Sequence, residues 1–228
     1  MNTENAKNNL TRTGDAAWGT PAPAGVGKNV TAEPVRGYVK LLGATRAFNF
    51  DFRGKTVLDI GSSTGGFTEY ALQRGATKVI AVEKGSHQMK APLRFDPRID
   101  LHEKTDIFDV VATQNVAAEL APHYIPYPDV IVADVSFISL TKVLKYAKLK
   151  LARSDTQFLV MLKPQFEAKP HQLKNGIVKN ESIRRDIIKH FEIWLKQNGF
   201  IIVNKRDNAL KGKHGNTERF YQLDIAKA

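Results

Sequence analysis

From Lys55 onward, short β-branched apolar runs alternate with stretches of helical period. This rhythm restricts the fold more than any other feature of the chain. TVLDI (56–60), VIAVE (79–83), a weaker IDLHE (99–103), DVIVADV (129–135) and FLVML (158–162) read as strands. Most are unbroken apolar runs, as expected of strands buried on both faces. TEYALQRG (68–75), stopped by Gly75, and LTKVLKYAKLKLAR (140–153) read as helices between them. SIRRDIIKHFEIWLKQNG (182–199) is the clearest helix: Ile183, Ile187, Ile188, Phe191, Trp194 and Leu195 share a face, Ser182 is the expected N-cap and Gly199 follows its end. Strands alternating with helices imply a parallel sheet covered on both sides. FIIVNKR (200–206) and ERFYQLDI (218–225) break the rhythm, because the link between them is too short and polar for a packed crossover helix. That pair is expected to be antiparallel. The architecture expected is α/β, a mostly parallel doubly wound sheet with one antiparallel strand near the C-terminus.

The chain has 228 residues, enough for one substantial core. Residues 1–30 are polar and rich in Asn, Gly, Pro and Ala, and read as a disordered tail before a single domain over 31–228. There are no cysteines, which excludes disulfides, Cys-ligated metals and thiol nucleophiles. The six histidines show no metal-ligand spacing. No apolar stretch approaches a membrane span and no secretory signal opens the chain, so a cytoplasmic location without membrane association is expected. The net charge is +11. Residues 1–139 hold 15 Lys/Arg against 15 Asp/Glu, whereas 140–228 hold 19 against 8. A basic excess confined to one half suggests a polyanionic partner.

Doubly wound sheets bind ligands beyond the carboxyl ends of their strands, at the switch point. The first strand delivers Asp59-Ile60-Gly61-Ser62-Ser63-Thr64-Gly65-Gly66-Phe67 there. A dinucleotide loop wants glycine where Ser63 stands. Asp59 is placed to meet the amino group of a methionine moiety. Glu83, 22 residues after Gly61, stands where a carboxylate grips ribose hydroxyls, with Lys84 next to it. Asp106 is positioned to accept from an adenine amino group. The altered glycine pattern and the antiparallel finish favour S-adenosylmethionine (SAM) over a nicotinamide dinucleotide. The candidate cofactor contacts are Asp59, Gly61, Ser62, Ser63, Gly65, Gly66, Phe67, Glu83, Lys84, Asp106 and Asp134.

VLDIGSSTGGFTEYALQRGA, VADVSFISL, LKPQFE and GNTERF resemble the hemolysin-A (TlyA) type of FtsJ-like RNA methyltransferases, over about Val35 to Asp224. The resemblance implies a class I SAM-dependent methyltransferase fold and methylation of ribose 2′-hydroxyls in ribosomal RNA. It also implies a Lys–Asp–Lys–Glu tetrad, which falls on Lys40 in RGYVKL, Asp134 in VADVSF, Lys163 in MLKPQFE and Glu218 in GNTERF. TlyA-type proteins usually carry a small RNA-binding domain ahead of the enzyme, where only the short tail is expected here.

A ribose hydroxyl is a poor nucleophile and needs a base within hydrogen-bond reach. Lysine can serve when burial and neighbouring positive charge disfavour its ammonium form, which arginine does not allow; Lys163 is the candidate base. Asp134 is expected to orient Lys163, and Glu218 to orient Lys40 or the sugar. Lys40 falls in a helical segment, PVRGYVKLLGATRAF, in which Val35, Val39 and Leu42 form the expected apolar face. Asp134 is not followed by the Pro-Pro-Tyr type of motif used on exocyclic amines, and the absence of cysteine excludes thiol addition to a pyrimidine. Two basic loops, 164–181 and 207–218, are expected to meet RNA through Lys169, Lys174, Lys211 and Lys213, with Arg36 beside them. Phe137, Phe166 and Tyr221 are either base-stacking rings or core. Two other functions remain open at this point: a non-catalytic RNA- or ribosome-binding protein on the same fold, and a hemolysin-like role.

Overall fold

The computed structural model describes residues 35–114, 123–212 and 214–227. The tail assigned to 1–30, and Lys213, lie outside them. Nine strands form among the described residues: β1 Thr56–Ile60, β2 Lys78–Glu83, β3 Ile99–Glu103, β4 Val111–Thr113, β5 Tyr124–Pro126, β6 Val130–Ala133, β7 Gln157–Leu162, β8 Phe200–Asp207 and β9 Arg219–Ile225. Helices α1 Arg36–Phe48, α2 Gly66–Gln73, α3 Leu140–Lys150, α4 Pro164–Glu167 and α5 Glu181–Gln197 connect or precede them.

Seven strands make one sheet in the order β3-β2-β1-β6-β7-β9-β8. All neighbours are parallel except β9, which is antiparallel to both β7 and β8. The expected α/β architecture is therefore present, with β9 as the reversed strand. The sequence reading did not anticipate the small parallel pair β4–β5; three-residue strands are too short to show a period.

Two apolar layers enclose the sheet. On one side α3 and α5 pack Leu140, Val143, Leu144, Phe191 and Leu195 against Leu58, Phe158 and Tyr221. On the other, α1 and α2 pack Leu41, Ala44, Phe67 and Tyr70 against Val57, Leu159 and Phe220. The face expected of α1 was wrong. Val35 is exposed and Val39 and Leu42 only half-buried, whereas Lys40, Leu41, Ala44 and Thr45 point inward. Small residues set that contact: a Cβ on Gly66 would lie 2.7 Å from the Tyr38 backbone nitrogen and 2.9 Å from Gly37 Cα. Backbones this close choose the helix face that glycines permit, rather than the one with the bulkiest side chains.

The N-cap of α5 is Asn180, not Ser182. Its Oδ1 accepts from the N–H groups of Ser182 (2.8 Å) and Ile183 (3.3 Å), so the helix starts at Glu181. Asparagine caps as well as serine does. Gly199, at φ +70°, follows this helix and turns the chain into β8.

Candidate active site

The chain steps outward from β1 to β2 and β3, then returns to β6 on the other side of β1. This switch opens a cleft of about 750 Å³ at the carboxyl ends of the strands. Its volume falls in the range of about 300–1,000 Å³ that holds drug-sized ligands. The Gly61 end of β1 and the Asp134–Val135 segment after β6 form its floor. Gly61 has φ +79°, and a Cβ there would meet Val135 Cγ1 at 3.5 Å.

Strand register then explains why distant residues meet. Ala133 pairs with Val160, and Leu162 pairs with Arg219. Asp134 follows the first of these residues, Lys163 follows Leu162, and Glu218 precedes Arg219. Three side chains are thus presented at one end of three adjacent strands, and α1 lowers Lys40 onto them. Lys163 Nζ stands 2.6 Å from Asp134 Oδ1 and donates to Ser136 Oγ at 2.8 Å. Lys40 Nζ stands 2.8 Å from Glu218 Oε2 and 3.4 Å from Asp134 Oδ2. The four groups form one chain of ion pairs, Lys163–Asp134–Lys40–Glu218. Lys40 is only 6% exposed and Glu218 3%. Two ammonium groups against two carboxylates leave this buried cluster neutral in sum, which is the condition for burying charge at tolerable cost.

Of the expected cofactor contacts, Gly61, Ser63, Glu83, Lys84, Asp106 and Asp134 line the cleft. Glu83 braces the glycine-rich loop: Oε2 accepts from Ser63 N at 2.9 Å and Oε1 from Gly85 N at 2.7 Å. Lys84 pairs with Asp106 at 2.9 Å, and this contact holds the Asp106 carboxyl below its usual range. Asp59, Ser62, Gly65, Gly66 and Phe67 do not line the cleft; they lie buried beside it. Asp59 Oδ2 accepts from Thr68 Oγ1 at 2.7 Å, while Oδ1 has no hydrogen-bond partner among the described residues. Burial pushes this carboxyl up to about 7, and the charge of Asp134 adds to the effect. Gly65 and Gly66 serve packing, since a Cβ on Gly65 would lie 2.4 Å from Leu93 Cδ2.

These residues fit SAM. Glu83 and Asp106 offer carboxylate oxygens suited to hydroxyl and amino donors. Val82, Ile107, Phe108, Ile138 and Val143 give the same cleft an apolar wall for a ring. Two buried polar atoms under the loop, Asp59 Oδ1 and Ser62 Oγ, lack partners among the described residues.

Phe137 is 92% exposed at the cleft rim, with φ +63°, where a phenylalanine is strained. Its ring lies 5.2 Å from that of Phe166, whose ring in turn lies 5.9 Å from Lys163 Nζ. Tyr221 is fully buried in the core and cannot stack on a base. Arg36, Lys169, Lys174 and Lys211 are all exposed, and the Arg36 guanidinium donates to the Lys211 carbonyl.

Sequence reasoning missed three residues that shape this site. Ser136 receives Lys163. Glu167 reaches back to cap α3, accepting from Leu140 N at 2.7 Å and Ser139 Oγ at 2.6 Å. Asn216 fastens the two basic loops together: its Oδ1 accepts from Val178 N and its Nδ2 donates to Gly176 O, both at 3.0 Å. The signal for all three was their place inside the quoted motifs, VADVSF, LKPQFE and GNTERF.

A seven-strand sheet with this order and reversal, and a nucleoside-sized cleft at its switch point, defines a class I methyltransferase. A solved SAM-dependent methyltransferase candidate from Listeria monocytogenes superposes with TM-score 0.59 at 15% identity, over 86% of this chain and all of that one. The family model for FtsJ-like methyltransferase matches residues 34–224, and the chain belongs to that family. It is 37% identical over 190 residues to the 16S/23S rRNA (cytidine-2′-O)-methyltransferase TlyA of Mycobacterium tuberculosis, covering 82% of this chain and 67% of that protein. A solved structure of a hemolysin candidate from Streptococcus thermophilus shares 32% identity with TM-score 0.75, covering 85% of this chain and 67% of that one.

Proposed function

We propose that this chain is a SAM-dependent methyltransferase acting on ribose 2′-hydroxyls of ribosomal RNA in the cytoplasm. The observation that carries the reading is the ion-pair chain Lys163–Asp134–Lys40–Glu218 at the edge of a nucleoside-sized cleft. Glu83 would hold ribose hydroxyls of the cofactor, Asp106 its base, and the Gly61–Ser63 loop its backbone-facing side. When bound, SAM supplies a methyl group made electrophilic by a positively charged sulfur.

The chain's own residues do the rest. Lys163 Nζ, in its neutral form, accepts the proton of the attacking hydroxyl. Asp134 and Ser136 fix the direction of that nitrogen. Lys40, held by Glu218, sits on the far side of Asp134 and keeps it from swinging toward solvent. Proton transfer to a placed base contributes roughly 10²–10⁴-fold, and alignment of the reactants up to ~7–11 kcal/mol. The loops bearing Lys169, Lys174 and Lys211, with Arg36, supply phosphate contacts, and Phe137 with Phe166 offers a face for the target base. Lys213 belongs to the same proposal from the sequence.

Incubation with labelled SAM and ribosomal subunits, followed by nucleoside mass spectrometry, tests the reading. Ribose-methylated nucleosides are expected from the wild type and not from Lys163→Ala. Wild-type protein that binds RNA and transfers no methyl group would instead support a non-catalytic RNA-binding role. As to a hemolytic role, no helix among the described residues is long and apolar enough to cross a membrane.

A further inference from the structure

We propose that the exposed face of α3 is a track for the phosphates of the RNA strand that leads into the cleft, an inference that rests on the RNA-methyltransferase reading above. α3 carries four lysines, at 142, 145, 148 and 150, and no acidic residue. Lys148 has a structural task, since its Nζ donates to the Asn198 carbonyl at 2.6 Å and approaches that of Gly199 at 3.3 Å, closing the end of α5. Lys142, Lys145 and Lys150 are exposed, and none of them has an ion pair or side-chain hydrogen bond among the described residues. Two exposed lysines elsewhere in the domain do have acidic partners: Lys84 pairs with Asp106, and Lys205 with Glu192.

Helix physics accounts for only part of this lysine row: Lys148 and Lys150 stand in the last turn, where the negative end of the dipole favours cations, whereas Lys142 and Lys145 do not. A first turn favours acids, because they complement the positive end of the helix dipole. α3 has none there and places Lys142 in that turn instead. Glu at i with Lys at i+4 would support the helix from its surface, and α3 has no such pair. The lysines also leave Leu149 68% exposed between them. Lys142 and Lys145, unpaired and outside the turn that favours cations, leave positive charge beside the cleft for a partner to neutralise.

Position identifies the partner's chemistry. Lys142 lines the cleft, alongside Ser136 and Phe137. From there the helix extends about 12 Å further, at 1.5 Å per residue, to Lys150. A polynucleotide whose sugar enters at Lys163 must pass this rim on one side or the other. Lys142 and Lys145, three residues apart, lie on one stripe at about 5–6 Å between Cβ atoms. Phosphates met this way fix register without reading sequence.

The test leaves Lys142 untouched, because it lines the cleft. Full-length Lys145→Glu/Lys150→Glu is compared with Lys189→Glu/Lys227→Glu, which makes the same change of charge at exposed positions off α3. The probe is a single-stranded oligoribonucleotide with every 2′-oxygen already methylated, so that it cannot react. Its affinity is followed by anisotropy across salt concentrations without cofactor. Two phosphate contacts on a single strand contribute about 0.7 each to the slope of log K against log salt, so the slope is expected to flatten by about 1.4 in the α3 variant. Affinity at low salt is expected to fall at least tenfold further than in the control. Lys145→Gln/Lys150→Gln, which adds no repulsion, should flatten the slope equally. Slopes and affinities matching the control would overturn the proposal, as would preferential displacement of the probe by an acidic peptide. The probe reports binding alone, so the outcome is independent of whether the wild type transfers a methyl group.

Discussion

Removing Glu218 should unfold the protein more readily than its place on a loop suggests. Its carboxylate is 3% exposed and lies 2.8 Å from the ammonium of Lys40, itself 6% exposed. In Glu218→Ala, Lys40 keeps only Asp134, at 3.4 Å, and that carboxylate already answers Lys163 at 2.6 Å. Three charges would then share a space built for four, with one positive charge in excess. Breaking a buried pair from one side costs about 3–5 kcal/mol. For a domain of this size that corresponds to a fall in Tm of about 6–20 °C, at 2–4 °C per kcal/mol. In urea the midpoint should move down by about 1–2 M with an unchanged slope. Lys40→Met/Glu218→Leu removes both charges and fills their space, and replacement of a whole buried pair is often neutral. The double variant should therefore recover most of the lost stability while remaining inactive. A Glu218→Ala protein within about 1 kcal/mol of wild type, the range of exposed pairs, would refute the view that this cluster is a buried, interdependent unit.

Other outcomes follow from single contacts. Lys163→Ala should lower the single-turnover rate by roughly 10²–10⁴-fold with cofactor affinity retained, and Lys163→Arg should not restore it, since a guanidinium does not shed its proton. The Asp59 carboxyl, raised from 3.8 to about 7 by burial, favours the protonated native state. Stability should accordingly fall as pH climbs from about 4 to about 7 and level off above; Asp59→Asn should remove this fall, worth up to about 4 kcal/mol in urea melts. Phe137→Gly relieves a positive φ, so it should melt no lower than wild type, yet raise the KM for RNA by the ~1–3 kcal/mol of a lost base stack. Asn216→Ala leaves the Val178 N–H, now bonded at 3.0 Å, without an acceptor, and a loss of about 1–3 kcal/mol is expected by calorimetry.

The strands were legible because buried parallel strands leave an apolar signature that few other elements imitate; TVLDI spans 56–60 in both sequence and structure. The reversal of β9 was legible from a short polar link alone. The inner face of α1 was not, because close approach at Gly37 and Gly66 outweighs side-chain bulk, and a hydrophobic pattern cannot express it. Lys40 shows the same gap. On a helix pattern it reads as a solvated lysine, and only its resemblance to a tetrad member marked it; its burial depends on Glu218, 178 positions away in sequence. Asp59, Gly65 and Gly66 carried a binding motif, yet lie beneath the loop, because a glycine spaced for ligand approach and one spaced for helix packing look alike in sequence. Phe137 was ambiguous for a similar reason, since an exposed ring and a core ring are the same letter.

The reversed strand has a consequence for biosynthesis. β9 is translated after β8 and yet inserts between β8 and β7. While the ribosome is still adding residues 219–225, the sheet has a gap where its penultimate strand belongs, and Glu218 has no frame to hold it against Lys40. A nascent chain stopped before Arg219 would hold all four charged residues, but no strand would yet fix Glu218 against Lys40. The ion-pair chain is therefore completed only once β9 has entered the sheet.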